Sequence, residues 1–157
     1  MNTLIFDYVV PCLCACAACI GFTFIFNIHG IGKVICGTGG ALGWLVYLLL
    51  EKELLGAFLA AAAIAVFAEM MARLVRCPAT GYLLVSLLPL VPGGGIYYAM
   101  RYCVMGEREL FIQTLLSTFG MAATLAVGAM LASSLFRALF PRFPHLPRFP
   151  RLNRRYR

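Results

Sequence analysis

Charge is what this sequence has least of. Only 12% of its 157 residues are Asp, Glu, Lys or Arg, about half of what a soluble domain carries, while 62% are hydrophobic. That shortage excludes an ordinary solvated surface and points to an integral membrane protein. A net charge of +7 on a soluble chain would suggest nucleic acid. Here the charges lie between long apolar runs, so they read as a topology signal, and no nucleic-acid partner is expected. The chain also lacks a phosphate-binding glycine loop, a metal-binding box and a nucleophile–base pair. No enzymatic activity, catalytic residue or cofactor is therefore expected. The seven cysteines do not form a disulfide scaffold. Cys12, Cys14, Cys16, Cys19 and Cys36 lie in or beside apolar spans, where a thiol behaves as a small hydrophobe. Cys12, Cys16 and Cys19 share a helical face, but nothing nearby would complete or orient a metal site, and none is expected. A basic stretch ahead of the first apolar run is missing too, with Asp7 present instead, so Met1 to Gly32 reads as a retained first span.

What the chain has is a series of charge-free runs. Tyr8 to Gly32, Val34 to Leu50, Cys77 to Met100 and Leu110 to Phe136 carry no charge, and Leu54 to Ala72 carries only Glu69. Each approaches or exceeds the roughly 20 residues that cross a bilayer as a helix. The pattern predicts an all-α membrane domain over 1–136 with about five transmembrane helices, at about 4–32, 34–50, 54–72, 77–100 and 110–136. A basic, Pro/Arg-rich tail over 137–157 follows. With the N-terminus outside, Lys33, Arg73, Arg76 and the tail arginines fall inside, and Lys52, Arg101 and Arg108 fall outside. This positive-inside bias favours an outer N-terminus and a cytoplasmic C-terminus. A re-entrant fourth segment, leaving four spans, would put the tail opposite the Lys33 and Arg73 loops and weaken the bias.

The fourth run is unusual. Ser86-Leu87-Leu88-Pro89-Leu90-Val91-Pro92-Gly93-Gly94-Gly95-Ile96-Tyr97-Tyr98 puts two prolines and three glycines inside an apolar span. Each proline removes a donor and clashes with the carbonyl four residues back, here Val85 and Leu88, and the glycines ease departure from the helical region. The fourth helix is thus expected to break near mid-membrane, which is tolerated only where protein buries it or water reaches it. Such breaks commonly form transporter sites, although a buried kink is the plain alternative. Freed carbonyls could hold an ammonium group, and the new helix start after Gly95 could offer amides to a carboxylate. Ser86, Pro89, Pro92, Gly93, Gly94, Gly95 and Tyr97 are the pathway candidates, while Tyr98 and Tyr102 suit an interfacial aromatic belt.

Glu69 is the only acid inside a span. Either it pairs with Arg73, four residues on, or it faces a cavity and handles a proton or a substrate amine. Asn27 and His29 read as loop residues. Gln113 with Ser117, and Thr114 with Thr118, share helix faces, as interhelical hydrogen bonds or as pathway lining. Small residues at four-residue spacing, Gly39 and Gly43, Gly120, Thr124, Gly128 and Ala132, and Ala61, Ala65, Ala68 and Ala72, favour close helix packing, within the chain or against a second subunit. The tail repeats Pro141-Arg142-Phe143-Pro144-His145-Leu146 as Pro147-Arg148-Phe149-Pro150-Arg151-Leu152 and is expected to touch anionic lipid.

Several stretches occur in order: Ile20-Gly21-Phe22-Thr23-Phe24-Ile25-Phe26-Asn27, Gly40-Ala41-Leu42-Gly43-Trp44-Leu45-Val46-Tyr47, Ala68-Glu69-Met70-Met71-Ala72-Arg73, Cys77-Pro78-Ala79-Thr80 and Pro89-Leu90-Val91-Pro92-Gly93. Together they resemble the threonine/serine exporter family, and more closely the small subunit that corresponds to the exporter's C-terminal half. The resemblance covers roughly Cys19 to Ala132, and the Pro-Leu-Val-Pro-Gly element with a following Tyr is its most specific part. It implies a subunit of a secondary transporter in the bacterial inner membrane, exporting threonine, serine or similar small amino acids with the proton gradient. It also implies a larger membrane subunit as partner. Export of small organic acids such as dicarboxylates, or a non-transporting assembly role, are the alternatives. Pro89, Pro92, Gly93 and Glu69 carry over as motif positions only, and the tail and the cysteine-rich first span lie outside the shared pattern.

Overall fold

The computed structural model describes residues 2–50, 54–75 and 77–140. The expectations for Glu51, Lys52, Glu53, Arg76 and the tail repeat from Pro141 concern residues outside that set. Six α-helices follow in order: α1 (Asn2–Ile25), α2 (Gly32–Leu49), α3 (Leu54–Val75), α4 (Ala79–Leu87), α5 (Gly93–Met105) and α6 (Arg108–Leu139), with a 3₁₀ turn at Leu88–Leu90 between α4 and α5. No strand occurs among the described residues. Helices α1, α2, α3 and α6 are each long and apolar enough to cross a membrane. The segment Ala79–Leu90 and α5 together form a further, bent candidate with a 49° angle at its break. The protein is thus an all-α integral membrane protein with four such helices, or five spans when the bent pair counts as one.

Local chemistry sets the ends. The first span, expected to reach Gly32, is helical only to Ile25. Asn27 (φ 55°) and Gly30 (φ 66°) then turn the chain through the left-handed region that Asn and Gly tolerate best. Gly106 (φ 80°) closes α5 in the same way, and the amide of Glu107 reaches back to the carbonyl of Tyr102 at 3.0 Å.

Helix α2 is the hub, in contact with α1, α3 and α4. It manages this by presenting glycine on two sides. A Cβ at Gly40 would collide with the Cys19 sulfur, and one at Gly37 would sit 3.0 Å from both Cys16 and Ile20 of α1. On the other side, Gly39 abuts Ser86 and Phe67, and Gly43 abuts Ile64 and Leu90. The Gly39–Gly43 pair therefore serves packing within the chain. Helix α3 answers with Ala57, Ala60, Ala61, Ala65, Ala68 and Ala72, all buried. The core has two parts. One gathers Cys19, Ile35, Cys36, Ala68, Ala72, Tyr82 and Val85. The other gathers Ala57, Ala60, Ala61, Ile64, Leu90, Leu125 and Ala129.

Helix α6 is the outlier in length. Its 32 residues span about 48 Å, against about 27 Å for the 18 residues of α2. A Cβ at Gly128 would lie 2.6 Å from the Phe58 carbonyl oxygen, which fixes the level at which α6 crosses α3. From Gly128 back to Thr118 is ten residues, about 15 Å of helix, whereas α3 begins only four residues before Phe58. The N-terminal part of α6, with α5 packed on it, therefore stands past the start of α3 as a helical arm. Val104, 86% exposed, lies on it.

The small-residue ridge of α6 is thus used unevenly. Gly128 touches α3, while a Cβ at Gly120 would meet nothing within 4 Å. Gly128→Ala is expected to lower the melting temperature in detergent, at a cost of about 1–3 kcal/mol for overpacking against backbone. Gly120→Ala is expected to leave it unchanged or raise it slightly. Thermal unfolding of the two variants side by side checks this.

Candidate functional site

The break in the fourth span is satisfied largely by the chain itself. Pro89 deprives the Val85 carbonyl of its helical donor, and the Cys19 thiol of α1 donates to that oxygen at 3.3 Å. The Ser86 hydroxyl donates to the Cys36 carbonyl of α2 at 3.3 Å. The Leu88 carbonyl accepts from the Val91 amide at 3.2 Å. Leu90 is buried against Gly43 of α2. The two carbonyls expected to be free for an ammonium group therefore already have partners, and Ser86 ties α4 to α2.

Beyond Leu90 the chain leaves the core and enters a cleft of about 590 Å³, lined by Tyr47, Leu54, Leu55, Pro92, Gly95, Ser117, Thr118 and Met121. Four elements meet there: the end of α2, the start of α3, the start of α5 and the middle of α6. The Ser117 and Thr118 hydroxyls both donate to the Thr114 carbonyl, at 2.9 and 2.6 Å, so neither is left unpaired on the wall. Gly95 has a steric reason to be glycine, because a Cβ there would fall on the Thr118 hydroxyl. Gly94 and Gly95 lie in the first turn of α5, where amides lack an intrahelical acceptor and the helix dipole presents its positive end. Gly93 donates back to the Val91 carbonyl at 2.7 Å. Around Gly93 and Gly94 there is open space.

Of the sequence candidates, the cleft brings together Pro92 and Gly95, with Gly93 and Gly94 at its edge of chain. Pro89 and Ser86 lie behind it, on the core side of the break. Tyr97 is 66% exposed on α5 and stacks edge-on against Tyr98 at 5.5 Å, outside the lining. Ser117 and Thr118 prove to be lining residues, while Gln113 is exposed. Tyr47 was not singled out by sequence reasoning. Its signal was present, since it closes the Gly40–Tyr47 stretch and sits three residues after Trp44, whose ring it meets at 5.8 Å. Among the described residues no three His, Cys, Asp or Glu side chains are placed to hold a metal.

Glu69 lies elsewhere, toward the other end of α3, and its partner differs from the one expected. Arg137 of α6 donates through Nε and a terminal nitrogen to the same carboxylate oxygen, each at 2.6 Å. Arg73, the expected partner, turns instead to the end of α6. Its guanidinium donates to the Phe140 carbonyl at 2.6 Å and lies 4.6 Å from the centre of the Phe136 ring. The reason is tertiary. The last carbonyls of a helix lack donors and attract cations, and the Phe136 face adds a cation–π contact. Arg137, read from sequence as the first residue of the tail, is therefore the last basic residue of α6.

No curated protein matches the chain, and no solved structure does. A family profile described as "Threonine/Serine exporter, ThrE" matches residues 11–135. That match takes in every residue that lines the cleft, and Glu69, but stops short of Arg137. On this evidence the chain, a multi-pass membrane protein with a cleft at its helix break, belongs to the threonine/serine exporter family.

Proposed function

We propose that the chain is a subunit of a secondary transporter that exports threonine, serine or similar small amino acids, working with a larger membrane subunit in the bacterial inner membrane. The observation that carries this reading is the cleft at the Pro/Gly break. It has a size suited to small molecules, and its wall carries Gly95 of the first turn of α5 and two α6 hydroxyls. A carboxylate fits the start of α5, where amides and helix dipole act together. With the N-terminus outside and the C-terminus in the cytoplasm, the cleft opens toward the outer side, as release of an exported substrate requires. The exposed apolar arm of α5 and α6 is suited to a membrane partner. The basic residues from Arg142 onward suit anionic lipid on the cytoplasmic side.

Glu69 is the candidate for proton coupling, being the one buried acid among the described residues. A second reading, export of small organic acids such as dicarboxylates, is favoured by one specific observation. Among the described residues no acidic side chain lines the cleft, and the carbonyls at the break are engaged. The amides at the start of α5 therefore suit a carboxylate, while the two hydroxyls, already donating to Thr114, leave only lone pairs for an ammonium group.

Efflux of labelled threonine from preloaded cells is expected only when this chain and the larger subunit are expressed together. A stable complex without threonine efflux would turn the assignment to organic acids. Gly95→Val places a branched side chain on Thr118 and is expected to cut efflux per assembled complex about tenfold or more, as an overpacking cost of a few kcal/mol would. Gly93→Ala, in open space, is expected to retain it. Glu69→Gln is expected to flatten the dependence of efflux on the pH gradient. An unchanged dependence in that variant would remove Glu69 from coupling.

A further inference from the structure

Helices α3 and α6 are tied by an ion pair at one end, packed together through Leu125, Gly128 and Ala129 in the middle, and separated by the cleft at the other end. Toward the end of α3, Arg137 holds Glu69, and Arg73 holds the Phe140 carbonyl and the Phe136 ring. At the start of α3, Leu54 and Leu55 face Ser117, Thr118 and Met121 of α6 across the cleft. Between the two lies the close crossing of Gly128 on Phe58 and Ala61, where backbones touch and neither helix can approach further. That geometry is a lever with its fulcrum at Gly128.

We propose that the Glu69–Arg137 pair is a latch: it holds α3 and α6 together at the end remote from the cleft, and its release lets them part there and close over the cleft. The proposal rests on the transporter reading above. The two partners are unequally placed, which suits a latch better than a static staple. The Glu69 side chain is 8% exposed and that of Arg137 60% exposed. Arg137 can swing into water, whereas Glu69 stays buried, so release leaves its carboxylate unpaired unless it takes up a proton. Packing alone gives no reason for a buried carboxylate, because apolar residues of similar volume stabilise such a contact as well or better. The second tie, Arg73 on the end of α6, rests on helix-end carbonyl and ring and re-forms whenever α6 returns. The two cationic contacts involve Phe136, Arg137 and Phe140, at the end of the last helix and just past the matched segment.

The test is cysteine accessibility in the full chain in its membrane, with its partner co-expressed. Single cysteines replace Ser117, in the cleft, or Ala132, on the Gly128 ridge toward the tie. Modification by a small maleimide is read by peptide-resolved mass spectrometry, which separates these positions from the native cysteines. Arg137→Gln is expected to raise modification at 132 several-fold and to lower it at 117. The exchange Glu69→Arg with Arg137→Glu is expected to restore the parent pattern. Should the exchanged chain not assemble, Arg137→Lys, which keeps the charge, is expected to label like the parent. A rise at 132 with no fall at 117, or no change at either, would overturn the latch. Because labelling needs no transported substrate, a failed latch is distinguishable from a failed assignment of function. The expected labelling changes without any efflux would count against the transporter reading alone.

Discussion

A broken helix survives inside a membrane only if the backbone groups it releases find partners, since no solvent is there to take them. In this protein that constraint falls on the Val85 carbonyl. Pro89 removes its donor, and the Cys19 thiol replaces it at 3.3 Å. Cys19 can reach across because Gly40 has no side chain to hold α1 away from α2. On the other side Ser86 ties α4 to α2 by donating to the Cys36 carbonyl. The broken span is thereby pinned to α1 and α2 up to Leu90, and everything after it is free to diverge. The 49° bend, the cleft at Pro92 and Gly95 and the arm of α5 and α6 all follow from where that pinning stops.

Energetically, the molecule divides into a rigid part and a divergent part. Glycine and alanine faces bring α1, α2, α3 and α4 close, and dispersion between near-touching backbones is the main attraction left where lipid is as apolar as the core. Helix α6 joins this part through Leu125, Gly128 and Ala129, which pack on α3, and through the ion pair at its end. Its first half packs mainly on α5, with Met121 reaching the core. The cleft sits at the seam, beyond the buried contacts of Leu125 and Ala129 with α3. A site placed there can bind and release, whereas one placed at Leu90 could not.

Much of this was legible in the sequence. The charge-free runs mark the helices because charge is too costly to place within a span, and Pro89, Pro92 and the three glycines mark the break because their backbone preferences are local. The Gly39–Gly43 packing was readable for the same reason. Partnership across the fold was not. Glu69 and Arg73 have the spacing of a helical pair, yet the end of α6 offers Arg73 a better acceptor and gives Glu69 a different arginine. Arg137 looked like the start of a tail because α6 extends past the apolar run that defined it. Cys19 looked like a small hydrophobe, and its role as a donor depends on a proline distant in sequence. Tyr47 joins the cleft only through the way α2 ends beside α5.

The central claim is that substrate passes through the cleft at the Pro/Gly break. The most direct measurement is efflux of labelled threonine from cells expressing this chain with the proposed larger subunit, before and after alkylation of a cysteine placed at Ser117, with the parent chain as control. The account predicts that efflux stops once position 117 is modified while the parent continues to export. Undiminished efflux after complete modification of that position would contradict it.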